Sequence, residues 1–284
     1  MLKQRVITAL VLLAILLPAL FWPTPEPFNG LVLLLIAAAA WEYARLNGCG
    51  PAASLALGGA CVLLCVACWM AGWIDAAPSA LWIVAGVAWV VASALLLRIG
   101  VAGWPSIARP VRIAGGLLAL VAAWLAAAQA RAIGVNFLLS VLLLVWVADI
   151  AAYFAGRAFG LKFTKNKLAP SISPGKSWEG VWGGMLGVLL LAFAWIAGDR
   201  HWDAQVPSLY SRLQSTGTWL LVVGAVFLAA MSVVGDLVES LVKRSAGAKD
   251  SSNLLPGHGG VLDRVDALLP ALPLAMLLAT LAHR

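Results

Sequence analysis

Residues 236–266, DLVESLVKRSAGAKDSSNLLPGHGGVLDRVD, hold five of the chain's twelve acids, four of its nineteen bases and one of its three histidines. The whole chain is 63% apolar and only 11% charged, and long apolar runs flank this stretch. These charges therefore do not read as an ordinary solvated surface. Asp236, Glu239, Ser240, Lys243 and Arg244 recur at three- and four-residue steps, which lays them along one helical stripe. Asp263 and Asp266 repeat that spacing at the start of the next apolar run. Between the two lies a turn-rich loop, Ser251-Ser252-Asn253 followed by Pro256-Gly257-His258-Gly259-Gly260. Carboxylates facing cations across a glycine hinge suit a metal-bound polyphosphate. Ionisable groups at membrane depth are costly and mark a functional site.

A second charged stretch begins at Asp149 and Tyr153, passes Arg157, and enters a basic loop with Lys162, Lys165 and Lys167. Next come Ser171-Ile172-Ser173-Pro174-Gly175-Lys176-Ser177-Trp178-Glu179-Gly180. An anionic-lipid patch or a charged membrane flank accounts for Lys162 and Lys165 equally well. Neither accounts for hydroxyls, glycine, lysine and glutamate crowding the mouth of the next apolar run. Ser173 or Ser177 beside free helical N–H groups offers a phosphate seat there. Gly175-Lys176-Ser177 is not a P-loop, because Pro170 stands where the first glycine is required and no strand precedes it. A histidine or cysteine zinc site is excluded, since only His258 lies near these acids. Ser240, His258 and Asp263 could compose a catalytic triad, but no Gly-x-Ser-x-Gly is present. The surplus of cations also favours a phosphate over an acyl substrate.

The elements that must position these residues are apolar runs at roughly 5–22, 28–46, 52–74, 79–97, 111–130, 134–156, 178–198, 218–242 and 262–282. Runs of that length predict an all-α, polytopic integral membrane protein of about nine transmembrane helices. With the N-terminus in the cytoplasm, alternation collects fifteen bases on the inner side, from Lys3 and Arg5 through Arg264. Only Arg131, Arg200, Arg212 and Arg284 fall on the outer side, a strong positive-inside bias. Loops 157–177 and 243–261 then face the cytoplasm, where nucleotides are. Residues 1–130 read as scaffold helices and 131–284 as the catalytic region. In the scaffold, Glu42 and Arg45 stand one turn apart and are expected to pair at the interface. Gly58-Gly59, Gly115-Gly116 and Gly183-Gly184 predict close helix packing. Cys61, Cys65 and Cys68 share one apolar run with no second ligand pair or nearby histidine, and read as small buried residues. The net charge of +7 is a matter of membrane orientation and anionic ligands; bases do not interleave with exposed aromatics, so no nucleic acid is expected. The outer stretch 199–217 mixes signs and carries no readable motif.

Two patterns resemble a known family. The first is Ser240-x-x-Lys243-Arg244-x4-Lys249-Asp250-x-Ser252; the second is Pro256-x-His258-Gly259-Gly260-Val261-x-Asp263-Arg264-Val265-Asp266. Together they resemble the signature of phosphatidate cytidylyltransferases, the CDP-diacylglycerol synthases. Lys167-Leu168-Ala169-Pro170, the Ser173–Gly180 segment and Gly235-Asp236-x-x-Glu239-Ser240 are similar to that family as well. The resemblance covers about residues 145–266. It implies transfer of CMP from CTP to phosphatidic acid at the cytoplasmic face of a bacterial inner membrane, yielding CDP-diacylglycerol and pyrophosphate. It also implies Mg²⁺ on Asp236 and Asp263, with Glu239 as a further ligand and a monovalent cation such as K⁺ as an option nearby. Asp236, Asp263, Lys249, Asp250, His258, Arg264 and Asp266 form the expected catalytic set. Asp149, Lys167, Ser173, Lys176, Ser177, Glu179, Ser240, Lys243 and Arg244 form the expected substrate-binding set. His258 serves either as acid or base or as a residue that fixes the glycine-rich loop. Partners beyond CTP and phosphatidic acid are anionic membrane lipid, with a homodimer allowed. Two rivals stand beside it: a transporter or channel, which would spread charge through the membrane depth, and a different phospholipid enzyme, such as a CDP-alcohol phosphotransferase or a polyprenyl-phosphate sugar-phosphate transferase, the first of which needs an aspartate motif that is absent here.

Overall fold

The computed structural model describes residues 2–282. Its helices are α1 (Leu2–Phe21), α2 (Glu26–Leu46), α3 (Pro51–Met70), α4 (Trp73–Ala76), α5 (Ser79–Gly103) and α6 (Arg109–Ile133). The second half adds α7 (Val135–Phe159), α8 (Trp178–His201), α9 (Leu209–Thr216), α10 (Thr218–Ser245), α11 (Leu262–Val265) and α12 (Leu268–Ala282). Among the described residues eight segments are long and apolar enough to cross a membrane, the last being Leu262–Ala282. α1 contributes a shorter apolar stretch, Val6–Phe21. Among the described residues the only β pairing is two isolated bridges, Ala169 with Ser173 and Leu255 with Gly259. The protein is an all-α polytopic membrane protein. In hydrocarbon a helix satisfies its own backbone, which is why apolar runs of this length fold this way.

The turns sort onto two ends, as the alternation of runs requires. At one end Arg131 donates to Leu20 O (2.9 Å) and Trp22 O (2.5 Å), tying α6 to the α1–α2 turn. At the same end Gln129 Nε2 donates to Trp73 O, and Asn136 Nδ2 to Val206 O (2.8 Å) and Asp199 Oδ1 (2.9 Å). At the opposite end Arg109 reaches Gly48 O, and Tyr43 donates to Arg112 O. Segments 160–177 and 246–261 join that second end, linked by Arg244, which donates to Ile172 O and Ala248 O. His283 and Arg284 lie outside the described residues, as do the side chains of Lys3 and Arg5.

Small residues set the closest contacts. In the α7–α8 hairpin a Cβ on Gly183 would overlap the Ala155 side chain, and one on Gly184 would meet Ala148 O at 2.9 Å. Gly116 makes room for the Tyr43 ring, and Gly58 packs on α2 near Ala37 O. Gly59 and Gly115, by contrast, face open space, so one member of each of those two pairs serves packing. Cys61 and Cys65 are fully buried free thiols. Near the second end α5 breaks at Gly100 (φ 66°, ψ −169°) and then turns into residues 104–106. Residues 199–217 are ordered by a motif that their mixed charges obscure. Ser208 caps α9 by accepting from Ser211 N, and Asp199 accepts from Ser208 N, Ser208 Oγ and Ser211 Oγ.

Replacing Gly184 by valine is expected to wedge α7 from α8 and cost about 1–3 kcal/mol, as overpacking does. Thermal unfolding in detergent checks this, with Gly59→Val as the control that leaves the midpoint near that of the parent protein.

Candidate active site

The predicted stripe on α10 forms, and it organises the site. Asp236 and Ser240 face each other one turn apart, the hydroxyl donating to Oδ1 at 3.2 Å. Lys176, at the end of the 160–177 loop, places its ammonium 2.6 Å from Asp236 Oδ2. One turn further along α10, Lys243 lies 2.6 Å from both Glu239 Oε2 and Asp263 Oδ1. The second carboxylate oxygen of Asp263 accepts from Ser251 N (2.9 Å), Ser251 Oγ (2.9 Å) and Gly260 N (2.7 Å). Asp266 closes the row because Gly235 lets its carbonyl approach α10; a Cβ there would sit 2.5 Å from Asp266 O. Asp149, exposed on α7, lies within electrostatic reach of Lys176 and Asp236. The result is one continuous row of charge in which acids outnumber the two lysines.

Both loops are built by local chemistry. In the first, Glu179 near the start of α8 accepts from Phe163 N, Thr164 N and Thr164 Oγ1, all at one oxygen. Ser177 caps α8 by accepting from Gly180 N at 3.2 Å, as a serine at this position favours. Lys167 donates to Pro174 O, and Leu168 N to Lys176 O, which closes the turn that carries Ser173. In the second loop His258 N donates to Leu255 O and Leu255 N to Gly259 O. Gly257 (φ 78°) and Gly259 (φ 82°) supply left-handed backbone that other residues resist. A Cβ on Gly259 would stand 2.6 Å from Asp263 Oδ2. The His258 Nδ1 atom is buried without a partner, and Ser240 is bonded to Asp236, so the structure forms no Ser-His-Asp triad. Lys249, Asp250, Arg244 and Arg264 are exposed around the loop, and no ion pair among the described residues engages them.

The structure corrects one expectation and exposes a residue that it hid. Glu42 does not pair with Arg45. Arg45 stacks 4.7 Å over the Trp41 ring, whereas Glu42 is fully buried and reaches across to the second loop. It accepts from Ser252 Oγ (2.5 Å), Ser251 Oγ (3.0 Å), Val261 N (3.0 Å) and Leu262 N (2.7 Å). The i, i+3 spacing suggested a local ion pair, but four donors at fixed positions compensate a buried carboxylate better than one flexible guanidinium. A usable signal was present, since Glu42 is an acid inside an apolar run, the same criterion that singles out Asp149.

The donor set also bears on a metal. No group of three or more His, Cys, Asp or Glu side chains closes around an ion among the described residues. The set therefore does not form an all-protein cage. It does fit an ion such as Mg²⁺, which takes one or two carboxylates and completes its shell from substrate phosphates and water. Asp236 is the carboxylate best placed for this, being 31% exposed, with Lys176 and Ser240 as its polar partners among the described residues. Asp263 has one oxygen filled by three donors and the other facing Lys243.

A family model described as "Cytidylyltransferase family" matches residues 3–282. A phosphatidate cytidylyltransferase of Pseudomonas aeruginosa is 41% identical over 278 residues, covering 96% of this chain and 95% of that protein. Proteins of the same name from Haemophilus influenzae and Brucella suis are 52% and 50% identical over 140 and 133 residues. Those two matches cover 49% and 47% of this chain, and 44% and 43% of the relatives. The similarity extends through the helices that carry little chemistry as well as through the charged loops, and the chain belongs to the cytidylyltransferase family.

Proposed function

We propose that this protein transfers CMP from CTP to phosphatidic acid, leaving CDP-diacylglycerol in the membrane and releasing pyrophosphate. One observation carries the reading: two lysine–carboxylate clusters, Lys176 with Asp236 and Lys243 with Glu239 and Asp263, stand beside loops rich in exposed cations at one end of a membrane bundle. A whole-length relative carries the name of that activity.

In this reading an oxygen of the lipid phosphate forms a bond to the α-phosphorus of CTP. The bond from that phosphorus to the oxygen bridging the β-phosphate breaks, and pyrophosphate leaves. The lipid phosphate is already anionic, so no dedicated base is required. Chemistry of this kind depends on position and charge neutralisation. Lys249 and Arg264, exposed beside the glycine-rich loop, are placed to meet the triphosphate and the lipid phosphate, and Arg244, exposed while it donates to two loop carbonyls, borders the same space. Lys176 and Lys243 hold Asp236 and Asp263 in place, and turn toward phosphate oxygens as these enter. Mg²⁺ on Asp236 and Asp263 would neutralise charge developing on the triphosphate. The excess of carboxylates over lysines in the row supports its binding. Asp149, Glu239 and Asp266 shape the field around it, and Asp250 and His258 border the same loop. The bias of lysine and arginine toward this end supports a cytoplasmic placement in a bacterial inner membrane.

Three outcomes test the proposal. Purified protein with labelled CTP and phosphatidic acid should place CMP in lipid; chelation should abolish this and Mg²⁺ restore it. Asp236→Asn and Asp263→Asn should each lower turnover by about a hundredfold or more, the loss typical of removing a group that stabilises developing charge. Size-exclusion chromatography should show both variants folded, and near-normal turnover of either would refute its assignment. Lys176→Ala should lose more turnover than Lys165→Ala, because Lys165 is exposed and outside the row.

A further inference from the structure

Glu42 lies among helices whose residue types carry little chemistry, yet it holds the segment on which the reaction depends. Its carboxylate is fully buried in an apolar helix, and no ion pair among the described residues compensates it. Such a charge is costly unless its oxygens are saturated with donors. All four donors come from residues 251–262: two serine hydroxyls at one edge and two backbone N–H groups at the other. This brackets the glycine-rich loop from both sides and fixes where α11 starts. Asp263 follows immediately, and two of its own donors, Ser251 and Gly260, lie in the bracketed segment.

The coupling between the two carboxylates is close. Ser251 Oγ stands 3.0 Å from Glu42 Oε2 and 2.9 Å from Asp263 Oδ2, so one hydroxyl proton serves both acids. Gly260 belongs to the same contact, because a Cβ there would run into Ser251 Oγ and Glu42 Oε1. Any shift of Glu42 moves the groups that orient Asp263.

We propose that Glu42 is a positioning residue for CMP transfer, acting through residues 251–262 to set the orientation of the Asp263 carboxylate. This rests on the reaction assigned above. Glu42→Gln keeps the shape but turns one acceptor into a donor that faces N–H or O–H groups. In folded, monodisperse protein, kcat should fall roughly a hundredfold, the scale set by about 1 Å of misplacement. The KM for CTP should change less than kcat, since Lys176 and Arg244 on other elements keep their places while only Lys249 and Arg264 flank the displaced segment. Hydrogen exchange should quicken at Val261 and Leu262 while the α7–α8 hairpin stays protected. Ser252→Ala deletes one donor to Glu42 without touching Asp263, and should give a smaller drop in kcat. It serves as the readout if Glu42→Gln does not fold. A kcat per folded molecule equal to that of the parent protein in either variant would overturn the proposal, as would unchanged exchange at 261 and 262. Failure of the parent protein to transfer CMP would instead sink the reaction assignment, because the exchange signature is read without turnover.

Discussion

Lys243 holds its ammonium between Glu239 and Asp263, and much of the structure serves to keep that buried arrangement compensated. A lysine with only 11% of its side chain exposed would be strongly disfavoured alone, as would either acid. Together they form a unit that α10 and α11 can bury. The unit demands that α11 arrive at a fixed height beside α10, which Gly235 permits by letting the chain at Asp266 come close. It also demands donors for the remaining Asp263 oxygen, and these come from the turn at 251–260. The glycines of that turn are thus consequences of the charge row.

The two loops at this end share one device. Each is irregular backbone at the end of membrane-spanning helices, and each is gathered by a glutamate accepting several donors from the chain. Glu179 collects Phe163 and Thr164; Glu42 collects Ser251, Ser252, Val261 and Leu262. Irregular backbone at membrane depth is tolerated where its polar groups are met by protein, and a carboxylate meets several at once. Arg244 then bridges one loop to the other through two carbonyls. Cations and acids at this end therefore divide into those that build the loops and those left over for phosphate.

What could be read from the sequence follows from how local each signal is. Apolar runs define membrane helices because bilayer thickness sets their length, and the α10 stripe follows from helical period alone. The turn around Gly257 and Gly259 was legible because positive φ favours glycine. Glu42 stands out as an acid inside an apolar run, but its partners were not legible, since they lie 209 to 220 residues away and no spacing rule reaches that far. The short helix α9 was missed for a similar reason: its cap needs Asp199, ten residues before its start, to accept from Ser208 and Ser211. Gly59 and Gly115 show the opposite error, because a glycine pair signals possible packing without saying which member faces a neighbour.

The position of Glu42 along the chain carries a consequence for biogenesis. The ribosome delivers this acid to the bilayer long before the serines and amides that will saturate it, so the emerging helix must shelter an incomplete polar site through most of synthesis. Closure of the active centre is therefore among the last events of assembly, and a prematurely terminated polypeptide leaves the membrane without a competent catalyst.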